Sequence, residues 1–347
     1  MLEIDGSLYS GSGTLVRHAV TLSALTGQAV HITNCRVRRQ NPGLRAQHTW
    51  VAEAIRQLTN GETEGNHLGS RDLVFRPGPA DMRRHYTWDI GSAGSTVLLA
   101  LAVLPYLAFA PHGVDVELHG GLFQDFAPSF YHLRYVMLPL LEGMGLQVEA
   151  KMQRPGYVPR GQGVISMSVR PPSGKLRPIV QDRETPVRRV WGIALSSHLE
   201  SRNVSQRMTA AAQEELKAAG YDAEFELIND ASAVQAGAAL AAFADREDGA
   251  RLGADRAGAP RRRSEDIGKH VARQLLEDIQ AGATVDRFAA DQIIAFAALA
   301  DGESRFLIPQ VTEHLTSDGW LVEKFLGARL ELKGNLMTIH GVGFRPG

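Results

Sequence analysis

LEIDGSLYSGSGTLVRHAVTLSALTGQAVHIT, residues 2–33, contains a short alternating strand, a turn rich in Gly and Ser, an apolar helix and a second strand. The helix is indicated by apolar residues at helical spacing, and the strands by short runs bounded by turn residues. An amphipathic helix, RAQHTWVAEAIRQL at 45–58, and two further strand candidates follow. The beginning of the chain therefore predicts a unit with the order strand, helix, strand, helix, strand, strand.

The same order returns further along the chain, which makes it an internal repeat. The strand YTWDI (86–90) leads through GSAGS into the apolar helix at 96–110, the strand VDVELHG (114–120) and a second helix at 129–145. A third, degenerate copy can be assembled from helix and strand candidates within 287–342. We therefore predict an α/β (α+β) fold built from three repeated βαβαββ units.

A segment of different character, residues 182–277, separates the second copy from the third. It contains the strand RRVWGIALSS, an amphipathic helix that ends at Gly220, and the strand DAEFELI. This order predicts a small inserted α/β domain, with the repeated-unit core formed by 1–181 and 278–347. Within the insertion, the polar and Gly-rich run at 245–265 predicts a mobile hairpin tip or a solvated, disordered loop.

The composition is that of a chain with a sizeable core and nearly balanced charge. Hydrophobic residues make up 44% of the 347 residues, and 37 basic side chains face 38 acidic ones. A nucleic acid would therefore have to be bound by a local basic patch. The single cysteine, Cys35, excludes an internal disulfide and a cysteine-based zinc site, and we expect it to be buried. Together with the lack of a secretory segment, it predicts a cytoplasmic protein.

The longest apolar stretch, at 97–110, contains Pro105. It is shorter than the roughly 20 residues that a membrane-spanning helix needs. This stretch predicts a buried helix, and no membrane partner is expected.

The Gly-rich turns before Thr14 and before Val97 open predicted helices. Unpaired backbone N–H groups at the positive end of a helix dipole suit a phosphate group. The alternative is that these glycines only permit tight turns. Basic and polar residues follow the first turn at unusual density: Arg17, then Arg36, Arg38, Arg39 and Arg45, then Gln47 and His48. Arginine is well suited to phosphate binding, although a solvated basic face is the alternative.

Five ordered motifs now give the sequence a specific resemblance. They are NPGLRAQH (41–48), IGSAGST (90–96), GYVPRGQG (156–163), AADQI (289–293) and EHLTSD (313–318). In order and spacing they resemble the signatures of the RNA 3'-terminal phosphate cyclase family, over roughly nine tenths of the chain. That resemblance implies repeated βαβαββ units with a small inserted α/β domain, on a core shared with the enolpyruvyl transferases. The substrate motifs of the transferases themselves are not found in this sequence.

The resemblance implies a reaction in three steps. His314, in EHLTSD, would attack the α-phosphate of ATP to give a histidine–AMP intermediate and pyrophosphate. The AMP would pass to the 3'-terminal phosphate of an RNA. The vicinal 2'-OH would then attack the activated phosphorus, expel AMP and leave a 2',3'-cyclic phosphate. The implied partner is thus RNA with a 3'-phosphate end, and the number of subunits is open, with a homodimer as one candidate.

Other site residues are carried over by the same resemblance. The ATP phosphates and the RNA terminal phosphate would be bound by Arg17, Arg36, Arg39, Gln47 and His48. Asp291 would hold the imidazole or a metal ion, Phe288 would stack on adenine, and Pro128 would belong to the ATP site. From the residues alone, Phe288 could equally belong to a helix core, and Asp291 could be a helix N-terminal charge.

The sequence also departs from the family pattern. The family's first loop reads EGGGQ, whereas residues 10–14 read SGSGT, so Ser10 replaces a metal-binding glutamate and Thr14 a glutamine. The resemblance implies ATP as co-substrate and a divalent cation, Mg²⁺ or Mn²⁺. Because the glutamate is absent, we expect the protein to bind this cation more weakly. The family's GGTD and APP segment is altered at Leu122, Phe123 and Ser129. A noncatalytic, cyclase-like RNA-binding protein is the alternative, and the presence of His314 favours the enzyme.

Overall fold

The computed structural model describes residues 1–80 and 82–345. Its first four-stranded sheet is formed by the N-terminal unit, in the order β1-β2-β4-β3. The first two strands pair in parallel through a helical crossover, and the other pairs are antiparallel. The elements of this unit are β1 (Leu2–Asp5), α1 (Gly13–Thr26), β2 (Val30–Thr33), α2 (Ala46–Thr59), β3 (Glu62–Glu64) and β4 (Leu73–Arg76).

The second unit repeats this topology. Its elements are β5 (His85–Asp89), α3 (Thr96–Leu107), β6 (Val114–Gly120), α4 (Phe130–His132), a π-helical turn (Leu133–Met137), α5 (Leu138–Gly143), β7 (Gln147–Arg154) and β8 (Gly163–Arg170). The strand order is β5-β6-β8-β7, again with a parallel first pair and antiparallel remaining pairs.

The third unit begins with the short strand β9 (Val180–Gln181) and is then interrupted. The interruption forms its own four-stranded sheet, in the order β11-β10-β12-β13. Its two long helices pack together over an apolar core that is separate from the main one. The elements are β10 (Val187–Ser197), a 3₁₀ turn (Glu200–Arg202), α6 (Val204–Ala218), β11 (Ala223–Asp230), β12 (Gly237–Arg246), β13 (Arg251–Ala257) and α7 (Ser264–Gln280).

The third unit then resumes with α8 (Arg287–Leu299), β14 (Glu303–Leu307), α9 (Glu313–Leu326), β15 (Arg329–Lys333) and β16 (Leu336–His340). The strand order is β9-β14-β16-β15, which matches the first two sheets position by position. The predicted fold class is confirmed: three βαβαββ units and an inserted α/β sheet.

The inserted segment leaves the third unit and rejoins it at neighbouring positions. Thr284 Oγ1 donates a hydrogen bond to the carbonyl oxygen of Gln181 at 2.6 Å and accepts one from the N–H of Leu307 at 2.9 Å. The chain on either side of the interruption is therefore joined directly. The exact division into domains stays a prediction; its proposed end, at residue 277, lies within α7.

The predicted buried helix is confirmed as α3, where nearly every residue is buried. Its neighbours α1 and α2 pack against it, so the helices of the first two units share one core. Cys35 is fully buried, as expected. Among the helices of the described residues, none is long and apolar enough to cross a membrane.

Of the two predictions for 245–265, a disordered loop is wrong for much of its length, whereas a hairpin turn is present. β12 extends to Arg246, a short turn follows, and β13 pairs with β12 in register from Arg251. Small residues allow this strand to pack closely, since a Cβ at Gly253 would meet Val136 Cγ2 at 2.7 Å. Two of its charged residues are paired rather than solvated, as Arg251 donates to Asp245 across the hairpin.

Candidate active site

A cavity of about 600 Å³ opens where helix N-termini from the first and third units meet. Its walls include the first turns of α1, α2, α8 and α9. Polar caps begin three of these helices, because Ser12, Asp286 and Thr312 each accept a hydrogen bond from a backbone N–H of the following turn. Several positive helix ends thus face one cavity, an arrangement that favours an anion.

The structure brings the predicted site residues together around this cavity. The lining includes Arg17, Arg36, Arg39, Gln47, His48, Pro128, Phe288, Asp291 and His314. Ser10 lies just behind the lining. The second Gly-rich turn, 91–95, also lies outside it, although Leu98 of the helix that it opens is part of the wall.

His314 lies in the first turn of α9 and is held through one ring nitrogen. Its Nδ1 is 3.1 Å from Thr14 Oγ1 and 3.3 Å from Ser12 Oγ, both at the start of α1. Thr14 Oγ1 also accepts a hydrogen bond from Arg17 Nη2 at 3.1 Å. Both hydroxyl oxygens can accept a hydrogen bond from a protonated Nδ1, and in that tautomer Nε2 keeps a free lone pair.

The surroundings of His314 favour its neutral form. Burial lowers the pKa of His314 below its usual value; the Asp318 carboxylate opposes this shift, and the charges of Arg17 and Arg39 reinforce it. A neutral imidazole is the form that can act as a nucleophile, so His314 is available for attack near pH 7.

Ser10 belongs to a chain of hydroxyls that ties the first loop to α9. Its Oγ lies 3.0 Å from Ser12 Oγ and accepts a hydrogen bond from Ser317 Oγ at 2.8 Å, while its N–H donates to Ser317 Oγ at 3.2 Å. The Ser10 side chain is buried. The position where the resemblance implies a glutamate is thus filled by a hydroxyl that bonds to protein.

His48 is packed directly against the backbone of the first Gly-rich loop. A Cβ at Gly13 would lie 1.9 Å from His48 Nε2, so only glycine fits there. The N–H of Arg45 donates to His48 Nδ1 at 3.0 Å, which leaves the ring proton on Nε2. Burial first, and then the charges of Arg17 and Arg36, lower the pKa of His48 well below its usual value. His48 is therefore a neutral donor in the wall.

Gln47 links the first unit to the second. Its Oε1 accepts a hydrogen bond from the N–H of Ser95 at 3.1 Å, and Ser95 in turn caps α3. The side chain of Gln47 thus fixes the position of α2 relative to α3, in addition to lining the cavity.

Positive charge dominates the cavity. Its lining contains Arg17, Arg36, Arg39, Arg45 and Arg287. Burial lowers the pKa of Arg17 to about 10, which still leaves it protonated at neutral pH. Over the described residues, Asp291 is the only acidic side chain of the lining. This excess of guanidinium groups suits a polyphosphate.

Asp291 is poorly suited to act as a charged ligand by itself. Burial raises its pKa to about 8, even though Thr312 Oγ1 donates to Oδ1 at 2.6 Å. Near neutral pH the carboxyl is therefore largely protonated. No group of three or more His, Cys, Asp or Glu side chains that could hold a metal ion occurs in the part of the chain that the structure describes. A divalent cation here would depend on Asp291 and on oxygens of a bound phosphate.

Several features of the site were not predicted. His18 Nδ1 lies 2.7 Å from Asp318 Oδ1, and this buried pair joins α1 to α9 beside His314. Phe126 is fully exposed at the cavity rim, with a left-handed φ of 64°. The spacing of four residues indicates that Asp318 lies one helical turn after His314. Its contact with His18 on α1 depends on the tertiary fold and could not be found from spacing.

Known proteins resemble this chain over nearly its full length. The family model described as RNA 3'-terminal phosphate cyclase matches residues 8–332. Proteins named RNA 3'-terminal phosphate cyclase are similar to it in Pyrococcus abyssi, at 35% identity over 97% of this chain and 96% of that protein, and in Nitrosospira multiformis, at 35% over 96% and 93%. The protein of that name from Methanopyrus kandleri is 34% identical over 100% of this chain and 99% of its own. The predicted resemblance is thereby confirmed, and the chain belongs to the RNA 3'-terminal phosphate cyclase family.

Proposed function

We propose that this protein uses ATP to convert the 3'-terminal phosphate of an RNA into a 2',3'-cyclic phosphate, through AMP bound to His314. The observation that carries the proposal is the neutral His314 at the edge of an arginine-rich cavity, with Nδ1 beside two hydroxyls. A volume of about 600 Å³ lies within the range of about 300–1,000 Å³ that is common for small-molecule sites.

In the first step, Nε2 of His314 attacks the α-phosphorus of ATP. The new N–P bond forms as the bond from that phosphorus to the bridging oxygen breaks, and pyrophosphate leaves. The imidazole becomes positively charged, and its Nδ1 proton is shared with Thr14 Oγ1 and Ser12 Oγ. Arg17 and Arg39 supply positive charge to the phosphates as charge develops on the leaving group.

The adenine would lie against the apolar part of the wall. Phe288 is half-buried and its ring meets His132 edge to face, with the centroids 6.0 Å apart, so its position is fixed by packing. Pro128 and Leu98 also line the cavity. A flat base can be sandwiched against such groups while the phosphates extend toward the arginines.

In the second step, an oxygen of the RNA 3'-phosphate attacks the phosphorus of the histidine-bound AMP, and the N–P bond breaks. This gives a diphosphate linkage from which AMP is a good leaving group. In the third step the 2'-oxygen attacks the terminal RNA phosphorus, releases its proton to solvent and expels AMP. His48, Arg36 and Arg39, which line the cavity, would bind the RNA phosphate.

A divalent cation would be held by Asp291 together with phosphate oxygens. When bound, it would neutralise part of the triphosphate charge. Because the protein offers one carboxyl with a raised pKa, we expect weak metal affinity in the absence of nucleotide.

Labelling with ATP tests the proposal. Incubation with α-labelled ATP should place acid-labile AMP on the protein, and His314→Ala should abolish it because the nucleophile is lost. His85→Ala is the matched control, since His85 is exposed on β5 and lies outside the cavity. Labelling that persists in His314→Ala would refute the assignment. No labelling of the unaltered protein would favour the noncatalytic RNA-binding alternative.

A further inference from the structure

A second cavity, of about 820 Å³, lies outside the proposed reaction site. It is formed by the loop before β8, the start of α6, the connection between β11 and β12, and the connection from β13 to α7. Its walls thus come from the second unit and from the inserted sheet. None of the three chemical steps uses it.

The charge of this cavity is strongly positive. Its lining contains Arg160, Arg202, Arg207, Arg261, Arg262 and Arg263 and, within the described ranges, no aspartate or glutamate. Three of these arginines have carboxylate partners outside the lining: Arg207 and Arg263 both contact Glu265, and Arg262 pairs with Asp125.

Three of the arginines remain unneutralised. Arg160, Arg202 and Arg261 are exposed, and none of them has a carboxylate partner in the described part of the chain. Arginines with no internal partner that converge on one cavity are suited to bind an external polyanion.

The backbone at this cavity also favours an anion. Both α6 and α7 begin there, at Val204 and Ser264. Neither N-cap residue, Asn203 or Arg263, makes a side-chain cap hydrogen bond. The start of α6 therefore offers uncapped backbone N–H groups to phosphate oxygens, in addition to the arginine side chains; at the start of α7 the N–H of Glu265 is bonded to its own carboxylate.

The two cavities share a border. Arg262 of the second cavity donates to both carboxylate oxygens of Asp125, at 2.9 and 2.6 Å. The next residue, Phe126, is the fully exposed aromatic side chain that lines the first cavity. A polynucleotide that leaves the His314 site can therefore cross the face of Phe126, where a base can stack, and reach the arginines beyond.

We infer that the second cavity binds the sugar–phosphate backbone of the single-stranded RNA that precedes the 3'-terminal phosphate. The inference rests on the proposed function, because that function places the RNA end beside His314. The contacts are guanidinium groups and backbone N–H groups on phosphates, so binding in this cavity has little sequence preference.

Binding measurements with two RNA lengths test this inference. Both RNAs carry a 3'-phosphate and a 5' fluorophore, and they have about 3 and about 12 nucleotides, below and within the usual span of a single-strand site. The variant combines Arg160→Gln, Arg202→Gln and Arg261→Gln. The control combines Arg183→Gln, Arg188→Gln and Arg329→Gln, which removes the same charge from exposed positions outside both cavities.

We expect the cavity variant to lose about tenfold or more in affinity for the longer RNA and to bind the shorter one as before. Its plot of log affinity against log salt should be shallower by about 2, since each lost phosphate contact removes about 0.7 from the slope. The control should change by less than about twofold.

Equal losses for the two RNAs, equal losses in the control, or an unchanged salt slope would overturn the inference. The readout is binding, so it is independent of turnover. If the cavity variant weakens only the longer RNA but ATP does not label the protein, the RNA cavity stands and the proposed reaction is refuted. If ATP labels the protein but the variant shows no dependence on RNA length, only the RNA cavity is refuted.

Discussion

His314 lies between charges of opposite sign that act on its pKa in opposite directions. Asp318 raises the pKa, whereas Arg17 and Arg39 lower it, and burial lowers it most. Asp318 follows His314 by one turn of α9 and is itself in contact with His18. The pKa of His314 should therefore shift when either Asp318 or one of the two arginines is replaced.

The loss of adenylation rate at low pH should shift when either Asp318 or Arg39 is replaced. Asp318→Asn removes the charge that favours the imidazolium, so the pKa of His314 falls and the rate persists to lower pH. Arg39→Gln removes an opposing charge, so the loss of rate moves to higher pH. Single-turnover labelling measured against pH gives both midpoints, and shifts in the same direction would contradict this account of His314.

The residues of the site were predictable where local motifs carry them. His314, Gln47 and Asp291 stand in short motifs whose order could be recognised, and all of them line the cavity. Contacts between residues about 300 positions apart were not predictable, because they depend on how the first and third units face each other. Ser10 with Ser317 and His18 with Asp318 are such pairs.

At the scale of elements, the start of α8 is fixed by one buried carboxylate. Asp286 accepts hydrogen bonds from the backbone N–H groups of Phe288 and Ala289 at 2.9 Å and of Gly253 at 3.0 Å. Its Oδ2 also lies 3.0 Å from His132 Nε2, and both side chains are fully buried. One side chain thus joins α8, β13 and α4 directly behind the proposed adenine contact.

Loss of this carboxylate should be costly. Asp286→Ala leaves His132 and several N–H groups buried without partners, so we expect the free energy of unfolding to fall by about 3 kcal/mol or more. Asp115→Ala is the control: its pair with Arg170 is half exposed, and the loss should be below about 1 kcal/mol. Urea denaturation followed by tryptophan fluorescence measures both, and similar losses would contradict a special role for Asp286.

Elements with clear periodicity were predictable, and those without it were not. The helices of all three units follow from apolar spacing, as in α2, or from a continuous apolar run, as in α3. β9 has two residues, too few for an alternating pattern, and it was missed. β13 was predicted as a loop because Gly253 and the neighbouring charged residues are typical of loops. In the fold, Gly253 packs against Val136 and the strand pairs with β12 in a hairpin.

At the scale of the whole molecule, three units with one topology are arranged so that the first and third supply the polar groups of the proposed reaction site, while the second adds Leu98, Phe126 and Pro128 to its wall. The second unit and the inserted sheet supply the second cavity. The repeat itself was visible in the sequence. The contribution of each unit to the two cavities was not visible, because the repeated pattern describes each sheet and carries no information on how the sheets face one another.

The hydrogen bond between Thr284 and Gln181 has a consequence for the order of folding. β9 and β14 can pair only after the long intervening chain has brought its two ends together, and an unstructured connection of that length opposes closure through its entropy. If the inserted sheet forms first, it shortens the effective loop. Pulsed hydrogen exchange during refolding should therefore protect amides of β10 and β12 before those of β14. Protection of β14 first would show that the third unit closes around an unfolded insertion, and that the fold of the insertion depends on the core.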